Sequence, residues 1–311
     1  MPRPVTQQPS IRKHDAIARP LCYHGAVVEI IPLWLINAVS FTTVFSVMAS
    51  IGTTITPSEC FRHIRAPFAL LLGIATSLVI VPAIGIAASL AFGLPLAEEV
   101  GITLMAIAPG APLALRRALG SGADIGFAPT LQVAIALLAV PAVPLWVEIG
   151  NLVFGTKGFA DPMLVGKQVL LAQLLPLALG AVVRRAAPIY GAWLGRALGR
   201  AGAILLIAAI LGQVIDLHRV ILAAQLWPIV VAAITTILAL SAAHLIGPSP
   251  EISHAIAIAS ALRNVGLALL IAGSNRTPPT VEVVIVSYAI TAIVIVSAYI
   301  GWWRAAFVSR A

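Results

Sequence analysis

The sequence predicts an all-α integral membrane protein with about nine transmembrane helices, and three observations support this fold class. The chain of 311 residues is 60% hydrophobic and only 10% charged, whereas soluble domains carry about 25% charged residues. Its apolar runs reach roughly 20 residues, which is the length that a helix needs to cross a bilayer. A transmembrane β-barrel would show short segments of alternating hydrophobicity instead.

The spans follow from cutting the chain at its charged and Gly/Pro-rich segments. Residues 1–28 are polar and basic and lack the apolar core of a signal peptide, so we expect a tail there and a transmembrane domain over 29–311. The nine predicted spans lie at roughly 29–55, 67–92, 97–119, 122–147, 163–184, 201–217, 222–246, 252–273 and 281–304.

Charged residues alternate between the two ends of these spans. Arg116, Arg117 and Arg304 mark one side, whereas Glu98 and Glu99 mark the other. We expect a multi-pass protein of the cell membrane, and the positive-inside rule predicts that its C-terminus is cytoplasmic. With nine spans, the N-terminus would then be external. The basic tail argues against this placement of the N-terminus. The net charge of +8 therefore indicates cytoplasmic loops, and no motif predicts a nucleic-acid partner.

The eighth predicted span contains a permanent charge at its centre. Arg263 lies in the middle of the apolar run 252–271, where an arginine costs at least about 2.5–3.5 kcal/mol on insertion scales and should face protein or water. Ser260, Asn264 and Gly266 surround it. We therefore predict an interrupted helix whose freed backbone groups line a cavity.

The third predicted span has a similar interruption. Pro109, Gly110 and Pro112 fall inside the apolar run 101–120, and proline breaks a helix because it removes a backbone donor and clashes with the preceding turn. Two hydrophobic segments interrupted by Gly or Pro in corresponding halves of a chain are typical of the binding site of a secondary transporter.

The residues around the two breaks form the candidate site. Gln132 in the fourth span joins them because a full amide in an apolar helix needs partners; helix packing is an equally good interpretation. Small hydroxyl residues in the first span, such as Ser50, favour tight packing over a solute-facing wall. The predicted substrate-binding residues are Arg263, Asn264, Gln132, Ser260, Gly110, Pro109 and Pro112.

Catalytic and metal-binding patterns are not found in the sequence. Cys22 and Cys60 have no zinc or disulfide spacing. The spans hold no clustered nucleophile and base and no paired carboxylates. We therefore expect neither an enzyme nor a cofactor or metal, and a non-transporting membrane sensor stays open as an alternative.

From about Ile31 to Trp303 the sequence resembles the bile acid:sodium symporter superfamily. The matching stretches are MASIGTTITPSECFRHIRAP (48–67), APGAP (108–112) and RNVGLALLIA (263–272). The resemblance implies two inverted repeats of about five helices, with two broken helices crossing in a core domain and the other helices forming a panel. The usual ten-helix pattern would have lost its first helix. The implied core covers about 97–184 and 252–304, and the panel about 29–92 and 201–246.

The sequence departs from the sodium-coupled members at their cation ligands. Where those members carry Glu-x-Gly-x-Gln-Asn, this chain has Ala259 in place of the glutamate and Arg263 in place of the glutamine. A Ser-Asn pair in the first broken helix is replaced by Ala114 and Leu115. Sodium prefers hard oxygen ligands, so sodium coupling is doubtful.

The resulting hypothesis is a secondary transporter of a small organic anion, of the carboxylate, sulfonate or steroid-conjugate type, in which Arg263 supplies a fixed positive charge. A sodium-coupled symporter with non-standard ligands is the main alternative. Proton coupling through Glu98, Glu99 or Glu282 is also open. For Arg263 itself, the competing interpretation is that it binds backbone carbonyls or a carboxylate and only locks the helices together.

Overall fold

The fold is described by a computed structural model over residues 33–54, 67–155, 159–216 and 226–308, and within these ranges every regular element is a helix. The predicted tail, the two cysteines and Arg62 and Arg65 lie outside the described residues. The helices are α1 (Leu33–Thr54), α2 (Pro67–Ala91), α3a (Leu96–Ile107), α3b (Pro112–Gly120), α4 (Phe127–Val153), α5 (Pro162–Ala186), α6 (Pro188–Asp216), α7 (Trp227–Ile246), α8a (Pro250–Ala261), α8b (Val265–Ser274) and α9 (Pro279–Trp303).

The number of spans agrees with the prediction. Eight helical segments of the described chain are long and apolar enough to cross a membrane, and the pair α3a and α3b, bent by 55° at its break, makes a ninth. This composition and length confirm a multi-pass membrane protein. The sequence-based start of the sixth span at 201 is wrong: α6 begins at Pro188, because the arginines at 196 and 200 stay within the helix instead of ending it.

The helices of the described chain pack in two groups. Helix α1 packs mainly on α5 and α6, whereas α3a packs on α2 and α9, and α7 packs on α8a and α9. The division into a core and a panel stays a prediction. These contacts bring α2 and α7, which were assigned to the panel, next to the broken helices, so they favour a larger core than the sequence indicated.

Close approach of α1 to α5 and α6 depends on small residues. A Cβ atom at Gly180 in α5 would collide with the carbonyl oxygen of Ala49 in α1, so only glycine lets α1 and α5 come this close. The Ser50 hydroxyl donates to the Gly195 carbonyl oxygen at 2.7 Å. This contact agrees with the interpretation of the hydroxyl row in α1 as a packing surface.

The contacts at the helix ends place the basic residues on one side. Arg304 Nη2 donates to the carbonyl oxygen of Gly120 at 2.7 Å, so the ends of α3b and α9 lie together. On the opposite side, the backbone N–H of Asp161 donates to Asn275 Oδ1 at 2.8 Å, joining the start of α5 to the end of α8b. These two contacts agree with spans that alternate in direction, as nine crossings would require.

This arrangement predicts opposite accessibility for two cysteines introduced into a background in which Cys22 and Cys60 are replaced by serine. Pro95 is exposed before α3a, and Gly120 is exposed at the end of α3b with open space around its Cα. By the positive-inside rule, an impermeant maleimide on intact cells should label Pro95→Cys but not Gly120→Cys.

Permeabilised cells are the control, since both cysteines should then react. The reverse pattern on intact cells would mean that the basic side faces outward. Equal labelling of both sites on intact cells would contradict the alternation of the spans.

Candidate functional site

The two predicted breaks lie against each other inside the helix bundle. The backbone N–H of Asn264, between α8a and α8b, donates to the carbonyl oxygen of Ala108 at 2.9 Å, in the break between α3a and α3b. Gly110 turns the chain there with a φ of +80°, a backbone conformation that side chains with a Cβ rarely adopt. The sequence therefore placed both interruptions correctly, and the fold brings them together.

The guanidinium of Arg263 binds backbone carbonyls at this crossing. Nη1 donates to the Ser77 oxygen at 3.1 Å and Nε to the Met105 oxygen at 3.4 Å. Nη2 donates to the oxygen of Ala106. The Met105 oxygen also accepts from the Ala108 N–H at 3.2 Å. The carbonyls at the C-terminal end of a helix carry partial negative charge, so an arginine is well suited to bind them. The side chain is 5% exposed.

A widened turn in α2 supplies one of these acceptors. Residues Thr76–Ile80 are π-helical, and the N–H of Val81 binds the Thr76 oxygen, five residues back. The Ser77 carbonyl is therefore free to accept from Arg263. The Ser77 hydroxyl also contacts the Ser260 hydroxyl at 3.1 Å, so a polar contact joins α2 and α8a beside the arginine.

These bonds agree with the competing interpretation of Arg263 as a lock, with backbone carbonyls as the partners. Arg263 has a second setting as well, because it borders a large cavity of the described chain. A direct role of Arg263 in substrate binding stays a prediction.

This cavity lies between α1, α6, α9 and the two breaks. Its empty space is about 790 Å³, a volume that includes the space at its open mouth. Most of its wall is aliphatic. The lining residues are Thr43, Val44, Val47, Met105, Ala111, Pro112, Leu113, Arg116, Gly199, Ala203, Leu206, Ile210, Leu262, Arg263, Asn264, Val265, Gly266, Ala289, Ala292 and Ile293.

Polar groups on this wall are few and point to a ligand with an acceptor. Asn264 Oδ1 accepts from the N–H of Leu267 at 3.2 Å and so caps α8b, while its buried Nδ2 has no partner within the described chain. The buried Thr43 hydroxyl is likewise unpartnered there. The first residues of α3b and α8b, Pro112 and Val265, border the cavity, so two helix N-termini with partial positive charge adjoin it.

The predicted site residues fall into two groups. Pro112, Arg263 and Asn264 border the cavity. The other four lie behind its wall and support the breaks: Gln132 Nε2, for example, donates to the Gly110 oxygen at 2.8 Å. This bond gives Gln132 the partner that its amide needs, and it is a contact to backbone of the kind expected from helix packing.

Two residues at the site were missed from the sequence. Gln173 is fully buried, and both polar atoms of its amide are without partners among the described residues. A Cβ at Gly110 would lie 3.1 Å from its Nε2. An amide in an apolar span was the signal that identified Gln132, and it applied equally here. Arg116, on the cavity wall, was interpreted only as a marker of the cytoplasmic side.

The chain is similar to known transport proteins over much of its length. The model of the Sodium Bile acid symporter family matches residues 41–225, a range that contains the first break. The ileal sodium/bile acid cotransporter of Oryctolagus cuniculus is 24% identical over 190 residues, or 58% of this chain and 53% of that protein. The probable sodium/metabolite cotransporter BASS3, chloroplastic, of Arabidopsis thaliana is 26% identical over 137 residues, or 44% and 31%. The matches thus span about half or less of each relative.

The bonds of Arg263 predict a loss of stability when its side chain is shortened. Arg263→Gln would leave at least two buried carbonyls without donors, which costs on the order of 2–4 kcal/mol, or roughly 3–6 °C in the unfolding temperature of the purified protein. Arg263→Lys should lose less, since its ammonium still reaches a carbonyl. Arg185→Gln, at an exposed position at the end of α5, is the control. An Arg263→Gln protein as stable as this control would contradict the interpretation that Arg263 holds the helices together.

Proposed function

The chain belongs to the sodium bile acid symporter family, and we propose that it is a secondary transporter that moves a small organic anion by alternating access. The observation that carries the proposal is the cavity at the helix breaks. Its wall holds two arginines and no carboxylate in the part of the chain that is described. A cavity of this charge and with aliphatic walls suits a molecule that has one acidic group and a hydrocarbon body.

The acidic group would be held by donors on one side of the cavity. Asn264 offers its unpartnered Nδ2, Arg116 offers a guanidinium that is exposed to the cavity, and the first turns of α3b and α8b add partial positive charge. Arg263 contributes through its field, since at about 5 Å and an effective dielectric near 20 it attracts an anion by about 3 kcal/mol.

The same field opposes a cation. The carbonyls of Met105 and Ala106, which could otherwise serve as oxygen ligands at the end of α3a, are bonded to the Arg263 guanidinium. Ala114, Leu115 and Ala259 have no side-chain oxygen. We therefore propose that Arg263 takes the place of a bound cation and that transport does not require sodium.

A sodium-coupled mechanism with unfamiliar ligands is the second candidate. The two relatives above carry names that include sodium, and Gln173 provides a buried amide oxygen without a partner in the described chain. Proton coupling has one structural argument, because Glu98 at the start of α3a is buried with one carboxylate oxygen unpartnered among the described residues. A cavity that binds a ligand without translocating it would instead fit a sensor.

Substrate binding can be tested by thermal shift of the purified protein against panels of small carboxylates, sulfonates and steroid conjugates. For the ligand that stabilises most, Arg116→Gln and Asn264→Leu should each weaken apparent affinity about tenfold or more, because each removes a donor to the acidic group. Arg185→Gln should leave affinity unchanged. Equal affinities in all three variants would place the ligand elsewhere.

Coupling can be tested by uptake of that ligand into proteoliposomes at matched membrane potential. We expect the same rate with an inward sodium gradient as with an equal potassium or choline gradient, and no uptake by Arg263→Gln. Sodium-specific stimulation of several fold that disappears in Gln173→Leu would favour the second candidate. Stabilisation by the ligand without any uptake would favour the sensor.

A further inference from the structure

We infer that the basic end of the bundle carries a second anion site, which adjoins the transport cavity at Arg116 and binds the phosphate headgroup of an anionic phospholipid. The site is an open pocket between α3b and α9 with about 570 Å³ of empty space. We call it the basic pocket. Its lining consists of Arg116, Arg117, Gly120, Ser297, Ile300, Gly301 and Arg304.

The positive charge of the basic pocket exceeds what the helices need. Arg117 lies in the last turn of α3b and Arg304 follows α9, so both complement the negative ends of helix dipoles, which amount to roughly half a charge each. Arg116 also lines the transport cavity, so Arg117 and Arg304 against two such ends leave about one positive charge that belongs to the basic pocket alone. No carboxylate lines the pocket within the described chain, so its positive charge is available to an external anion.

The hydrogen bonds of these arginines leave donors available. Arg117 Nη1 donates to Ser297 Oγ at 2.9 Å, and Arg304 Nη2 donates to the Gly120 oxygen at 2.7 Å. These two contacts fix the guanidiniums on opposite walls, and each group has further N–H donors in a planar fork that matches phosphate oxygens.

The surroundings of the basic pocket favour a lipid over a soluble phosphate. Trp302 is 52% exposed and Phe307 is 42% exposed at the same end of α9, and Leu119 of α3b is also exposed. Exposed aromatic side chains at the end of a span mark the level of the lipid headgroups. A phosphate held between α3b and α9 would therefore leave its acyl chains against apolar side chains.

The floor of the basic pocket is open because of two glycines. Neither Gly120 nor Gly301 has any atom within 4 Å of the position that a Cβ would take. A Cβ at 301 would therefore meet no neighbouring side chain, and a leucine there would extend into the pocket and take up part of its space. This gives a steric variant that leaves the charge unchanged.

The test measures binding of phosphatidylglycerol, with phosphatidylcholine as the neutral probe. Each lipid is titrated into the purified full-length protein in mixed micelles. The readouts are the thermal stability of the protein and its lipid adducts in native mass spectrometry. Phosphatidylglycerol should bind more tightly. Arg117→Gln and Arg304→Gln should each weaken it about fivefold, and Gly301→Leu should weaken it with all arginines present. Arg185→Gln, which removes an equally exposed arginine outside the basic pocket, should change affinity less than twofold.

Three results would overturn the proposal. Equal binding of the two lipids would show that the pocket does not select charge. Equal losses in Arg185→Gln and Arg304→Gln would indicate a diffuse attraction to the basic face. Stabilisation by glycerol 3-phosphate as strong as that by phosphatidylglycerol, with the same dependence on Arg304 and Gly301, would identify the ligand as a soluble phosphate ester instead of a lipid.

Discussion

One guanidinium, buried where two interrupted helices cross, is the contact on which the rest of the site depends. A helix that stops inside a membrane leaves carbonyls that neither water nor lipid can satisfy there. Arg263 donates to the last carbonyls of α3a and, at 3.5 Å, to the Ser260 oxygen near the end of α8a. A single side chain therefore binds carbonyls at both helix ends.

The polarity of the four half-helices follows from this contact. The C-terminal ends of α3a and α8a adjoin the arginine, whereas the N-terminal ends of α3b and α8b adjoin the cavity. The negative ends are thus neutralised and the positive ends remain available to a solute. In the proposed mechanism this asymmetry, together with Asn264 and Arg116, selects an anion.

The hydropathy of the chain was sufficient to predict the nine spans, and Pro109, Gly110 and Arg263 were sufficient to predict the two breaks, because each of these features is local. The partners of Arg263 were not predictable from the sequence. They are backbone carbonyls, such as those of Met105 and Ala106, and every residue has one whatever its side chain. The start of α6 was placed too late because arginines at a helix end resemble those of a loop. Gln173 could have been found from its amide alone.

The order of synthesis adds a consequence for how the protein is assembled in the membrane. Within the described chain, the carbonyl acceptors of Arg263 outside the α8 pair belong to residues 77, 105 and 106, and so they are synthesised before the arginine. The central part of the α8 pair is buried within the bundle, and its charge is costly in lipid. When this segment leaves the ribosome, the groups that will accept its charge have already been made, so insertion can be completed by docking onto preceding helices instead of waiting for later ones.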